Sequence, residues 1–195
     1  MMEVMLMEEL RLVRPSIDYK EQALEYINEF IEYESQIHGV GSLDKNLDNY
    51  EGWLLKLEQD RNMIPGSVPG RVPAETFMLI RKSDNRLIGM IDIRLMLNEY
   101  LLNYGGHIGY SIRPSERRRG YAVYQVYLAL KYCLEKEIDR VLITCDKENV
   151  GSAKTIINSG GVLENEILED DGSICQRYWI EVSDSIKRLS KKYER

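Results

Sequence analysis

The segment with the most specific chemistry in this chain is Ile108 to Ala122, IGYSIRPSERRRGYA. It reads as a short strand ended by Pro114, then an Arg-rich turn, then a glycine where a helix begins. A helix start exposes unpaired backbone N–H groups and the positive end of the macrodipole, roughly half an elementary charge, so an anion belongs there. Gly120 has no side chain to hold a phosphate away from the backbone, and it tolerates positive φ where the loop must curl. Arg117, Arg118 and Arg119 surround it with positive charge. The chain contains neither GxxxxGK[ST] nor GxGxxG, so the two common nucleotide signatures are absent. Taken alone, three consecutive arginines also describe a solvated face.

Proton-transfer candidates are few. His107 opens the same strand and is one of two histidines. With an ordinary pKa near 6.5, it is the candidate general base, against the competing reading of a strand-end histidine making a structural hydrogen bond. Glu75, Asp92 and Glu99 are carboxylates on or beside the preceding hairpin. Asn149 and Ser152 stand at the start of a later helix, where an asparagine also serves simply as a cap. Tyr121, Tyr124 and Tyr127 recur at helical spacing and read first as packing residues, while Tyr178 and Trp179 are candidates for a pocket wall. Cys133, Cys145 and Cys175 are an odd number at wide spacing with no CxxC pair, which suits packing thiols in a reducing, cytoplasmic setting and gives no metal site.

These residues need a framework to position them. The chain has 195 residues, 26 basic and 32 acidic, for a net charge of −6, with 44% hydrophobic residues, which suits a single folded domain over 1–195. No apolar run approaches the roughly 20 residues of a membrane-spanning helix. The opening MMEVMLMEEL is too acidic for a secretory signal and reads as a disordered lead-in over 1–9 or part of the first strand. The acidic balance argues against nucleic acid as a partner, since the only footing for one is the triple-arginine turn and a basic C-terminal tail.

Along the chain, Leu10 to Arg14 reads as a strand, Lys20 to Tyr33 as an amphipathic helix through Ala23, Leu24, Ile27, Phe30 and Ile31, and Leu43 to Asp60 as a second helix. Arg61 to Pro73 holds three prolines and two glycines and marks a surface loop. Thr76 to Arg81 and Leu87 to Leu97 form a hairpin across SDNR, followed by a strand from His107 to Arg113. A helix from Ala122 to Glu137, a strand from Val141 to Cys145, and a helix from Val150 to Ser159 stopped by Gly160 and Gly161 come next. A terminal hairpin pairs Val162 to Leu168 with Ile174 to Val182, and 183–195 reads as a polar tail. This order implies an α/β (α+β) fold with a mixed, mostly antiparallel sheet of about seven strands and helices on both faces.

Arg117-Arg118-Arg119-Gly120-Tyr121-Ala122 matches the Q/R-x-x-G-x-G/A signature of the GNAT family of N-acetyltransferases and lies, as that family requires, between a strand and a helix. Asn149, Ser152, Gly160 and Gly161 match the family's later N-x-x-A/S-x(7)-G-x pattern. The resemblance is specific over 88–161. It implies a splayed pair of parallel strands, acetyl coenzyme A as co-substrate without a metal, and direct transfer of the acetyl group to a primary amine of a small molecule or peptide in a ternary complex. It places the pyrophosphate on the N–H groups of Arg117 to Ala122. It places the pantetheine arm along the edge of Ser111, Ile112 and Arg113 and beside Asn149 and Ser152, with the Ile112 backbone N–H as oxyanion donor. Seven residues after the asparagine the family often has a tyrosine as proton source for the leaving sulfur; here Ile156 stands there, which keeps open an alternative, a GNAT-like module that binds acyl coenzyme A without transferring its group. Glu32, Glu34 and Asp44 lie in segments that shape the acceptor site in this family and would suit a cationic acceptor. Homodimerisation is compatible with this reading.

Overall fold

The computed structural model describes residues 9–194. The reading of the opening segment as a disordered lead-in lies, but for Glu9, outside the described residues. Seven strands fall into two sheets. The first has the order β1 (Leu10–Val13), β2 (Ala74–Arg81), β3 (Arg86–Arg94), β4 (Ile108–Ile112), all antiparallel. The second has the order β5 (Arg140–Asp146), β7 (Ile174–Glu181), β6 (Val162–Leu168), again antiparallel.

Alternation along the strands assigns the helices to their faces. Met78 and Ile80 point toward α1 (Lys20–Glu32) and α2 (Tyr50–Arg61), packing with Ala23, Tyr26, Ile27, Phe30 and Trp53. Phe77 and Leu79 point the other way, toward α3 (Tyr121–Glu135). That second face carries the largest core, in which Val126, Ala129 and Leu130 of α3 and Ile156 of α4 (Val150–Asn158) bridge Ile91 and Ile93 of the first sheet to Ile143 and Ile180 of the second.

Two elements differ from the sequence reading. The second helix begins at Tyr50, not Leu43: Ser42 adopts the left-handed conformation at φ 69°, Leu43–Lys45 makes one isolated 3₁₀ turn, and Asn49 caps the helix by accepting the Gly52 N–H at 3.0 Å. The segment read as a polar tail is α5 (Val182–Tyr193), which lays Val182, Ser185 and Leu189 against the body and stacks Tyr193 on Tyr124 with ring centres 4.3 Å apart.

Candidate active site

Strands β4 and β5 lie side by side but are joined at one end only. The His107 N–H donates to the Leu142 carbonyl at 2.7 Å, and the Leu142 N–H donates to His107 Nδ1 at 2.9 Å. Farther along β4, the Tyr110 hydroxyl lies 3.0 Å from Ser152 Oγ, just past the end of β5, so the two strands advance in the same direction. Among the described residues no backbone hydrogen bond links them beyond Leu142, and the seam opens into a gap.

The register decides which groups line this gap. The Arg94 N–H donates to the His107 carbonyl and the Arg113 N–H donates to the Ile88 carbonyl, so residues 107, 109, 111 and 113 are the hydrogen-bonded partners of β3. In an antiparallel ladder the intervening residues turn their N–H and C=O groups the other way. Tyr110 and Ile112 therefore present backbone amides to the gap. The Ile112 N–H thus faces the gap, whereas the backbone groups of Ser111 and Arg113, expected along that edge, face β3 instead. Ser111 faces β3, and its side chain is held by the Tyr26 hydroxyl at 3.0 Å and by donation to the His38 carbonyl. Arg113 is 1% exposed, with its guanidinium on the Leu87 carbonyl, Glu25 and Glu29.

Beyond β4 the chain turns through Pro114–Glu116 into α3. Glu116, buried, accepts from Arg81 at 3.0 Å and pairs with Arg119 at 3.3 Å, which anchors the turn from beneath. Arg117 folds back, donating from Nε to the Ile112 carbonyl at 3.1 Å and from Nη2 to Ser35, with its guanidinium over the Phe30 ring. Arg118 is exposed at φ 64° with no ion-pair partner among the described residues. Gly120 precedes α3 at φ 82°, no side chain caps the helix there, and a Cβ added at Gly120 would meet nothing within 4 Å. The positive end of α3 thus adjoins a space at Gly120 that is bare of protein, as an anion cradle requires. The Tyr121 ring is itself buried in the core.

Asn149 caps α4, its Oδ1 accepting the Ser152 N–H at 3.0 Å, so only its amide NH2 remains to reach a ligand. The Ser152 hydroxyl is engaged by Tyr110, whose own pKa burial pushes up to about 12. Ile156 is fully buried in the core and supplies no acid.

The candidate base is corrected. With Nδ1 accepting from Leu142, the neutral His107 ring keeps its proton on Nε2 and has no lone pair left to take another. Burial, followed by the charge of Arg94, lowers its pKa to about 4. His107 is a strand latch. Glu75 is likewise structural, clamped by Arg14, Arg61 and Tyr132. Glu99 is exposed, away from any ion pair among the described residues. Tyr178 lies in the core, and Trp179 packs edge-on to His107 with Arg140 over its ring, and neither lines the cleft beside α2.

On the opposite face of the sheet from α3, a cleft of about 390 Å³ lies between the segment 37–45, α2, the loop at 70–72 and the end of β3. Asp92 is at its floor, accepting from Thr76 at 2.9 Å and paired with Arg94 at 2.7 Å. Asp60 is shared between Lys56 and Arg71. Of the three acidic residues proposed to attract a cation, Asp44 lines the cleft and Glu32 and Glu34 do not. The charges there are nearly balanced, with Lys45, Lys56, Arg71 and Arg94 against Asp44, Asp60 and Asp92. Sequence reasoning missed Tyr110, although its place in the alternating run IGYSI marks it as a neighbour of Ile112 on the other face from Ser111.

Comparison with known proteins bears on the family and the fold. The acetyltransferase (GNAT) domain profile matches residues 10–162. An uncharacterized N-acetyltransferase of Bacillus subtilis, YjdG, is 30% identical over 77 residues, a stretch that spans 39% of this chain and 42% of that protein. Among solved structures, Mycobacterium smegmatis RimJ in complex with CoA-disulfide superposes with a TM-score of 0.69 at 15% identity, covering 94% of this chain and 88% of that one. A Vibrio cholerae structure described as a putative ribosomal-protein-serine acetyltransferase gives 0.63 at 18% identity, covering 90% and 95%. The profile match spans both the Arg117–Ala122 signature and the Asn149–Gly161 pattern, and with it the chain belongs to the GNAT acetyltransferase family.

Proposed function

We propose that the protein transfers the acetyl group of acetyl-CoA to a primary amine of a small molecule or peptide. The observation that carries this reading is the gap itself: β4 turns the backbone groups of Tyr110 and Ile112 into a seam that no strand fills, and that seam leads to the uncapped start of α3 at Gly120. A pantetheine arm has amides that would pair with the Tyr110 backbone and the Ile112 N–H as an added strand does, and its diphosphate would rest against the positive end of α3 beside Gly120. Arg118 and Arg119 supply charge near it, while Arg117 holds the end of β4. The relative with CoA-disulfide supports the choice of ligand.

The acceptor enters from the cleft on the α1/α2 face. Attack by its nitrogen on the thioester carbonyl places negative charge on the oxygen, and a backbone N–H at Ile112 is directed so that it can stabilise that charge. The departing thiolate, with an ordinary thiol pKa near 8.5, leaves without an obligatory acid. That matters because Ile156 offers none. The same residue favours a second reading, a module that binds acyl-CoA without transfer.

One pair of measurements separates the two. Titration calorimetry with acetyl-CoA reads binding, and thiol release with a panel of polyamines, amino acids, aminoglycosides and peptides reads transfer; binding with no release for any acceptor selects the module. Replacing Gly120 tests the cradle. Gly120→Asn tolerates the left-handed backbone and fills the open space, so affinity for acetyl-CoA should fall at least about tenfold, roughly 1.4 kcal/mol, with the unfolding midpoint little changed. Unchanged affinity removes the diphosphate from this loop. Gly120→Val adds backbone strain and should lower stability as well.

A further inference from the structure

Resting on the transferase reading, we propose that His38 is the general base that takes a proton from the acceptor ammonium group. The chain has two histidines, and the latch made by His107 removes one of them from this role. His38 is the other, and its situation is the reverse. The residue lines the cleft with part of its surface exposed, and neither ring nitrogen has a hydrogen-bond partner among the described residues.

The backbone around it is tied to β4 at the right place. The His38 carbonyl accepts the Ser111 hydroxyl, and Ser111 is braced from behind by Tyr26. Gly39 lies so close on β4 that a Cβ there would sit 2.2 Å from the Gly109 carbonyl oxygen and 2.7 Å from the Tyr110 Cα, a contact only glycine permits. His38 is thereby held over residues 109–111, on the face opposite α3 and beside the two residues whose amides turn into the gap. A base held there would meet an acceptor that enters by the cleft.

The charges around it favour the free base. Arg94 of β3 faces the ring from the cleft floor, partly offset by its pair with Asp92. From α2 come Lys56 and Asp60, which are paired, with Arg71 of the loop on Asp60; Asp44 and Lys45 stand at the rim. Partial burial, then the charge of Arg94, lowers the His38 pKa below the ordinary value of about 6.5, so the neutral ring predominates at pH 7. Before attack one ammonium proton moves to the imidazole. The neutral amine nitrogen then bonds to the carbonyl carbon, the carbon–sulfur bond breaks with its electron pair on sulfur, and the second proton leaves nitrogen for the thiolate or water. His38 returns its proton to solvent.

The test compares two small acceptors with the wild type and His38→Gln: methylamine, protonated at neutral pH, and hydroxylamine, whose nitrogen is largely unprotonated there. His38→Gln should lower kcat/KM for methylamine by about 100-fold, leave hydroxylamine within about threefold, and leave the KM for acetyl-CoA unchanged. The wild-type profile should show an acid limb with its midpoint below about 6.5 that the variant lacks, and the His38 ring protons should titrate by NMR at that same midpoint. Equal loss with both acceptors, or no loss with either, overturns the base assignment while leaving the transferase reading intact. A wild type that binds acetyl-CoA but releases no thiol with either probe or with the wider panel overturns both.

Discussion

Of the two imidazoles, both lowered by burial, His107 is the one whose pKa falls as far as about 4. Its Nδ1 accepts from Leu142, and charging the ring would abolish that acceptor and place a cation in a buried site beside Arg94. Its folded pKa of about 4 lies below the unfolded value of about 6.5, so the unfolded chain binds the proton more readily between those limits. The contribution is therefore complete above about pH 6.5 and is lost as the pH falls toward 4, with an upper size of about 3 kcal/mol. Urea unfolding from pH 7 to pH 4.5 should show this loss. His107→Gln keeps an oxygen acceptor for Leu142 but removes the titration, and should flatten the dependence across that window. An unchanged slope would assign the acid sensitivity to other groups.

At the level of elements, α5 shows what sequence patterning yields and what it conceals. Val182, Ile186, Leu189 and Tyr193 recur at helical spacing, yet serines, lysines and arginines dominate the composition, and the segment reads as a tail until its partner surface is known. That surface is made by Tyr124 and Tyr127 of α3 and by the Ser159 carbonyl, which accepts the Ser185 hydroxyl. Leu189 is 6% exposed, so Leu189→Ala should lower stability by about 2–3 kcal/mol in urea unfolding, whereas a dispensable tail would leave the midpoint unchanged. The hairpins, α3 and the Gly120 turn were legible because their signals are local: turn residues, period, a glycine at a helix start. Whether Ser111, Ile112 or Arg113 faces the gap was not, since that depends on register with β3, and a shift of one residue exchanges the two sets. The fate of His107 was hidden for the same reason, because Leu142 is 35 residues away in the chain.

For the molecule as a whole, the feature that matters is that the seven strands among the described residues are left open along one seam. The halves are held by the core beneath, where α3 touches both, and by the His107–Leu142 pair at one end, and the Tyr110–Ser152 contact crosses near the other. A ligand strand laid into that seam would pair with the Tyr110 and Ile112 groups that face away from β3, so acetyl-CoA should act as a structural component as well as a reactant. Ligand at 100 times its Kd stabilises the folded state by about 2.7 kcal/mol. At about 2–4 °C per kcal/mol for a chain of this size, Tm should rise by about 5–10 °C. The location distinguishes this seam from any other site: hydrogen exchange should slow at the amides of Tyr110, Ile112 and Ala122, and stay constant at Ser111 and Arg113, which are already bonded to β3. A rise in Tm with protection confined to other segments would place the ligand elsewhere, and the seam would then be only a discontinuity between two sheets.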